Sequence, residues 1–394
     1  MSTEPCNSNS LDEDDIVHPR VLPFIFVHLA CLAIFWVDVQ PTDWILCGGL
    51  YVIRMFGITA GFHRYFSHRA FKTSRGFQFF LAFLGQSSAQ RGTLWWAAKH
   101  REHHKYSDTE QDVHSPVRHG FWYSHVLWIF SKSVRTPNHS GIKDFLKYPE
   151  LVWLDKWDKL PPFILAVLVW LVAGWSGLIV GFFISTVLLF HGTFTINSLS
   201  HIYGKQTYIT GDNSRNNLFL AIITLGEGWH NNHHHFPSVT PQGFRWWQID
   251  VTYYILKTLS IFRVVWDLRL PPKHVVEGKR RMSLAVIETA AQQLAASFSI
   301  EQISKTVIQV LAHTPKLDEL RNRARIGHAE VEAFLKEIKI LESPKIGNLK
   351  DKAQNMFTHI PSLNPIVERA NQIIVQSVSI WLLQNDICDS ADRV

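Results

Sequence analysis

Residues 43–68 read DWILCGGLYVIRMFGITAGFHRYFSH, an apolar run that ends in a pair of imidazoles, His63 and His68. About 20 apolar residues of helix cross a bilayer, and 43–62 has that length. Three further stretches, about 21–38, 161–176 and 177–199, are also apolar enough to span. They pair as two hairpins whose tight connections, Pro41-Thr42-Asp43 and Gly174-Trp175-Ser176-Gly177, carry no Lys or Arg. The long segment between the hairpins is studded with both. Under the positive-inside rule the tight loops face out, and the long segment and both termini face the cytoplasm. The expected fold is an all-α membrane protein with four transmembrane helices in two hairpins below a cytosolic helical cap.

Composition supports a division along the 394 residues. Mean hydropathy is close to zero, but residues up to about 270 hold nearly all of the 15 Trp and most of the 26 Phe. Beyond about 275 the chain is charged and rich in Ala, Gln, Lys and Glu. This predicts a polar tail over 1–20, a membrane domain over 21–275 and a C-terminal helical extension over 280–394. The tail is acidic and does not read as a cleaved signal peptide. Segment 76–88 suits a buried or interfacial helix; 121–133 and 245–265 suit interfacial helices. In the extension, 332–341 and 366–383 have helical patterns, with breaks near Pro315, Pro344, Pro361 and Pro365. Net charge is +6, yet no nucleic-acid motif is present and the basic residues flank apolar spans. The partner implied is membrane lipid, not nucleic acid. Cys6, Cys31, Cys47 and Cys388 are scattered and form no disulfide framework or zinc knuckle.

Nine of the 21 histidines carry the chemistry. They are His63 and His68, then His100, His103 and His104, then His230, His233 and His234, with His201 standing alone. The expected topology places all nine on one side of the membrane. Imidazole is the commonest metal ligand, and one metal site needs only three or four protein ligands, so nine imply two metal ions. The two H-x-x-H-H boxes place residues i, i+3 and i+4 on one helical face. His63 and His68 differ, because i and i+5 diverge by about 140° on an ideal α-helix; the helix is expected to end or bend between them. Imidazole suits zinc, copper, iron and nickel alike. His100-Arg-Glu-His103 is not the H-E-x-x-H of a zinc protease, and few carboxylates are interleaved, against a carboxylate di-iron bundle. Two irons bound almost wholly by histidine are the remaining reading.

The neighbours of these boxes resemble a known family. Gly226-Glu-Gly-Trp-His230-Asn-Asn-His-His234, Asn197-Ser-Leu-Ser-His201 and His100-Arg-Glu-His-His-Lys-Tyr-Ser-Asp108, followed by Asp112-Val-His114, look like the membrane acyl-CoA and acyl-lipid desaturases of the stearoyl-CoA (Δ9) type. Thr210-Gly-Asp-Asn-Ser-Arg-Asn-Asn217 resembles the bacterial and plant branch. The similarity covers roughly 20–270 and leaves out 280–394. It implies that the nine histidines ligate two Fe ions, that Asn197 approaches one of them through water, and that no further catalytic residue is needed. Asn197 and His201, four apart, can share a helical face.

The implied reaction is O2-dependent removal of two hydrogens from a saturated acyl chain, carried as acyl-CoA or acyl-lipid. No cytochrome b5 heme motif (His-Pro-Gly-Gly) is present, so the electron donor is separate: a ferredoxin, a rubredoxin or a cytochrome b5-like carrier. The implied location is multi-pass in a bacterial inner membrane. Carboxylates that can hold the ligands' outer nitrogens are Glu102, Asp108, Asp112, Asp212 and Glu227. His235 is an extra histidine beside the third box, and His191 reads as a buried packing residue. Trp95, Trp96 and Trp229 can wall the site, and Arg118 is either a solvated charge or a head-group contact. A membrane hydroxylase with the same boxes is the nearest rival. A metal-binding receptor or transporter would need polar residues spread through the spans, which are largely apolar.

Overall fold

The computed structural model describes residues 21–131, 139–279, 281–338, 349–357 and 363–385. The tail over 1–20, Cys6, Cys388, Pro344 and Pro361 lie outside them, as do the last residues of the helices expected over 121–133 and 332–341. The chain divides into two compact units, Met1–Gln206 with Asn213–Val276, and Thr207–Asp212 with Glu277–Val394.

The first unit is helical. Helix α1, Leu22–Trp36, has nine α-helical residues followed by six in tighter 3-10 winding. Helix α2, Pro41–Ser67, starts at a capping box in which the Asp43 carboxylate accepts from the Gln40 N–H at 2.9 Å. Helices α3 (Arg75–Gln86) and α4 (Thr93–Tyr106) follow. Helix α5, Leu160–Ser198, is a 39-residue run that would be about 58 Å long if straight, roughly twice a hydrocarbon core. It is interrupted at Gly174, whose φ of +64° and ψ of −159° are non-helical, and its two halves pack against each other. Only glycine takes that φ without cost. Short helices α6 (Leu218–Ile223) and α7 (His230–His235) lead to α8 (Val251–Ile261). A two-residue antiparallel ladder, Lys72–Thr73 with Val265–Trp266, ties the end of the unit to the loop after α2.

Among the described residues two helices, Pro41–Ser67 and Leu160–Ser198, are long and apolar enough to cross a membrane; Leu22–Trp36 is apolar but shorter. The tight connection expected at 174–177 falls on the Gly174 break, which divides Leu160–Ser198 into two helical segments. Phe26, Phe35, Ile45, Ile53, Leu171 and Val172 leave the outer faces of α1, α2 and α5 apolar and exposed, a surface suited to lipid. Beneath the histidines a core of Met55, Phe66, Phe71, Leu81, Leu94, Leu151, Leu154 and Leu256 is closed from solvent.

The second unit is a helical assembly around its own core, with Leu294, Val307, Leu320, Phe334, Ile366, Ile374 and Val378 buried. Its longest helix, Asn364–Gln384, carries Pro365 in its first turn, where the missing N–H costs nothing. The unit is not only the tail, because Thr207–Asp212 belongs to it and Ile209 sits in its core.

Candidate metal centre

The first histidine box converges in a way that α-helical spacing does not provide. The helix ends between His63 and His68, at Ser67, as expected, but it reaches that end by changing to π winding over Gly57–Ser67. In that winding N–H groups bond five residues back, and the His68 N–H reaches the His63 carbonyl at 3.2 Å. Residues five apart then lie one above the other, so the two rings meet edge to face with centroids 5.0 Å apart. Close helix packing supports the wide turns: a Cβ on Gly57 would lie 2.8 Å from the backbone of α3.

The other boxes sit on helix starts held by side chains. Helix α4 begins where the Asp155 carboxylate accepts from the Leu94 and Trp95 N–H groups at 2.7 and 3.2 Å. Helix α7 begins where the Asn216 side-chain oxygen accepts from the N–H groups of Asn231 and Asn232. Asn232 also donates to Gln242 O and Gln248 Oε1 at 2.9 and 3.0 Å, which anchors the third box from within. The roles of these amides went unread in the sequence, although Asn216 lies in the Thr210–Asn217 stretch and Asn231 and Asn232 lie inside the third box.

The nine histidines gather into two groups, each with its ligand atoms within 4.8 Å of one another. One group is His63, His68, His100, His104 and His233; the other is His103, His201, His230 and His234. In the first, Nε2 atoms lie 2.8 Å (His68–His100), 3.0 Å (His100–His104), 2.8 Å (His104–His233) and 2.9 Å (His63–His233) apart. In the second, the His201 and His230 Nε2 atoms are 3.1 Å apart. Two nitrogens about 2.1 Å from one metal and at right angles are separated by about 3 Å, so this donor set fits a metal ion in each group. The division, which spacing alone left open, is crosswise. From each triplet the i and i+4 residues join one group and the i+3 residue joins the other. Asn197 lies in the last turn of α5, which ends at Ser198, so His201 comes beyond the helix end and not on its face.

Carboxylates stand behind three of these rings. His63 Nδ1 pairs with Glu227, and the Gln242 amide lies 3.1 Å from the same nitrogen. His103 Nδ1 is 3.1 Å from Asp112 Oδ2, and His201 Nδ1 is 2.9 Å from Asp108 Oδ2. A ring that donates its Nδ1–H to a carboxylate turns the bare Nε2 lone pair toward the metal. Burial would raise Asp108, but the His201 charge and the bonds from His201, Ser115 and Asn213 hold it down to about 2. Asp112 is lowered further: burial opposes, and His103 and His114 prevail. Burial, reinforced by neighbouring imidazoles, pushes His68, His100, His104 and His233 well below 6.5. At neutral pH they hold the uncharged form that metals bind. Asp112→Asn should therefore lower metal affinity about 10–100-fold, read by titrating a chelator against the purified protein; unchanged retention would remove Asp112 from this role.

The remaining candidates separate. Glu102 pairs with Lys99 at 3.0 Å, and Asp212 accepts from the Thr210 hydroxyl at 2.6 Å. His235 is buried but belongs to neither group. Trp96 stacks on His100 with centroids 4.9 Å apart and planes 14° off parallel, so it does wall the site. Trp95 faces Trp128 instead, and Trp229 donates to Ile249 O at 2.8 Å. Arg118 is exposed, with its Nε 3.3 Å from Asp108 O.

Fold and donor set together define a helical protein with apolar outer faces and two imidazole-lined groups suited to metal. Residues 42–260, more than half of the chain, match the fatty acid desaturase family, and the chain belongs to that family and is an oxidoreductase. It is 36% identical over 260 residues to the acyl-CoA 5-desaturase AL21 of Anemone leveillei, covering 65% of this chain and 80% of the relative. It is also 36% identical over 266 residues to the sn-1 stearoyl-lipid 9-desaturase of Anabaena variabilis, with coverages of 64% and 94%. A third relative, the sn-2 palmitoyl-lipid 9-desaturase of Nostoc sp., is 36% identical over 230 residues, with coverages of 56% and 80%. These names span two head-group classes and two double-bond positions.

Proposed function

We propose that this protein places a cis double bond, at Δ9, in a saturated acyl chain carried as acyl-CoA, using O2 and two electrons at a centre of two irons. The observation that carries this reading is the pair of histidine groups with Nε2 atoms about 3 Å apart and carboxylates behind three rings. His63, His68, His100, His104 and His233 hold one ion; His103, His201, His230 and His234 hold the other, with Asn197 acting through water. When bound, such an iron pair supplies the activation of O2 that removal of hydrogen from an unactivated methylene requires. The protein holds the imidazoles neutral, fixes their tautomers through Asp108, Asp112 and Glu227, and walls the site with Trp96. The chain's overall demand is one O2, two electrons and two protons per double bond, with two waters released. The electrons come from a separate one-electron carrier.

In this reading α1, α2 and the two halves of α5 are four spans, with both termini and the histidines on the cytoplasmic side of a bacterial inner membrane. The glycine break in α5 and the exposed apolar faces support it. An acyl-lipid substrate is the second reading, favoured by the Anabaena and Nostoc relatives. Expression in a host of simple lipid composition, followed by gas chromatography of fatty-acid methyl esters, should reveal a new monounsaturated acid. New hydroxy acids without an alkene would overturn the proposal. Parallel assays on stearoyl-CoA and on phospholipid vesicles decide the head group.

A further inference from the structure

Residues 200–217 make an excursion out of the first unit and back, beginning beside His201. Its arms are joined within that unit. The Arg215 N–H donates to Ser200 O at 2.7 Å, and Lys205 and Asn216 exchange two N–H···O bonds of 2.9 Å. Between the arms the chain leaves the first unit after Gln206 and returns at Asn213; the tip, Thr207–Asp212, belongs to the second unit.

The arms carry the support of one histidine group. His201 itself lies on the outgoing arm. On the returning arm the Asn213 N–H and side-chain amide both donate to Asp108 Oδ2, at 2.7 and 3.2 Å. The same oxygen lies 2.9 Å from His201 Nδ1. Ser214 Oγ accepts from the Asn231 side chain at 3.4 Å. Asn216 then caps the start of α7, its Oδ1 3.1 and 3.2 Å from the Asn231 and Asn232 N–H groups, and its amide donates to Asn232 Oδ1 at 2.8 Å. Three of the four histidines of the second group, His201, His230 and His234, therefore lie on the arms or on the helix they cap. Of the first group only His233 does so; His63, His68, His100 and His104 come from α2, the residue that ends it, and α4.

What fixes the tip is apolar. Ile209 is 8% exposed and shares one core with Ala290, Ala291, Leu294, Ile303 and Val307. Tyr208 beside it is buried as well. A Cβ placed on Gly211 would touch Val286 at 3.4 Å, so the tip runs against helix Leu284–Ala296. Holding a loop tip in one conformation costs backbone entropy, and burial of Ile209 and Tyr208 offsets that cost. The other members of this core lie beyond residue 280, outside the stretch 42–260 that matches the family.

We propose that the C-terminal unit is a support of the metal centre. By holding Thr207–Asp212 at Ile209 it positions His201, Asp108 and α7, and so sets the affinity of the second histidine group for its ion. This role rests on the proposed two-ion centre. Ile209 is a positioning residue that acts through the peptide chain on either side of it. The coupling is covalent, at Gln206–Thr207 and Asp212–Asn213. It is also reciprocal: whatever factor the folded extension adds to the ion's affinity, the bound ion adds to the stability of the extension.

The test is made on the full-length protein in detergent, metal-free and after anaerobic loading with Fe(II). Leu294→Asn, in the core of the extension, and Ile209→Asn, at the tip, should each lower affinity for the second ion about 10–100-fold, the range for groups that act behind a ligand. By Mössbauer spectrum the ion lost should be the one that His103→Ala loses, with the other retained, and Ile209→Val should keep both. In the metal-free protein the two Asn variants should speed hydrogen exchange at the Asn213 and Asn216 amides while α2 and α4 stay protected as in wild type. In the wild type, loading should slow exchange across 284–311. A Leu294→Asn protein whose extension exchanges freely yet holds both ions at wild-type affinity would overturn the proposal, as would equal loss of both ions. A wild type that binds one ion or none would sink the two-ion reading, while exchange at Asn213 in the metal-free variants still decides whether the extension holds the loop.

Discussion

In the proposed two-metal centre, His103→Ala and His233→Ala should each lose all double-bond formation, and each should lose a different metal ion. The two residues are the i+3 members of their triplets, and each leaves its own helix partners for the opposite group. His233→Ala removes one of five donors from the first group, and His103→Ala removes one of four from the second. Loss of a supporting carboxylate typically costs 10–100-fold, and loss of a direct ligand costs more. Metal analysis of the purified variants should give about half the wild-type content in each case. Iron Mössbauer spectra should show a different surviving site in the two variants. Retained wild-type activity in either, or loss of the same ion from both, would sink the assignment of ligands.

Arg64→Met should lower folding stability by about 3–5 kcal/mol, the range for breaking a fully buried ion pair. Arg64 is 1% exposed at its side chain and lies between two buried carboxylates. Its Nη2 is 3.0 Å from Glu227 Oε1 and 2.9 Å from Asp250 Oδ1, and its Nη1 donates to Thr240 O at 2.8 Å. Asp250 in turn caps α8 through the Tyr253 N–H and accepts from Gln242 N. Removing the guanidinium leaves two carboxylates facing each other with no cation between them. Gly226 is part of the same fit: its φ is +126°, and a Cβ there would lie 2.4 Å from Asp250 Oδ1. Because Glu227 also holds His63, the variant should lose metal along with stability. Thermal unfolding in detergent measures the first effect, and a melting temperature equal to wild type would show the triad to be dispensable. Arg64→Lys should fall between the two, since an ammonium cannot fork across both carboxylates.

The histidine boxes were legible because helical spacing converts directly into direction. The two triplets were expected on helix faces and are found on α4 and α7. The first box was only half legible: its rings meet, but through a change of helical winding that no i and i+5 rule for α-helices contains. Nothing in Gly57–Ser67 announces π geometry, which depends on how closely α3 packs on Gly57 and Gly61. The supporting carboxylates divide the same way. Asp108, Asp112 and Glu227 reach the rings, whereas Glu102, which lies within the second box, turns to Lys99. Sequence nearness does not separate them, because burial and the path of the loop after α4 decide which side chain faces inward. Apolar runs predicted helices well, and the connection expected at 174–177 coincides with the break in α5 at Gly174.

The crosswise sharing of the triplets also bears on how the centre fills. Neither group can form without fixing both α4 and α7, since each of these helices feeds both. An ion captured by one group stiffens the scaffold that the other needs, so the second ion binds to ligands whose ordering entropy has already been spent. In the proposed centre, two-ion loading would then be cooperative by linkage alone, with no contact between the ions. A half-filled centre, able to meet O2 with only part of the proposed reducing capacity, would then be the least populated state.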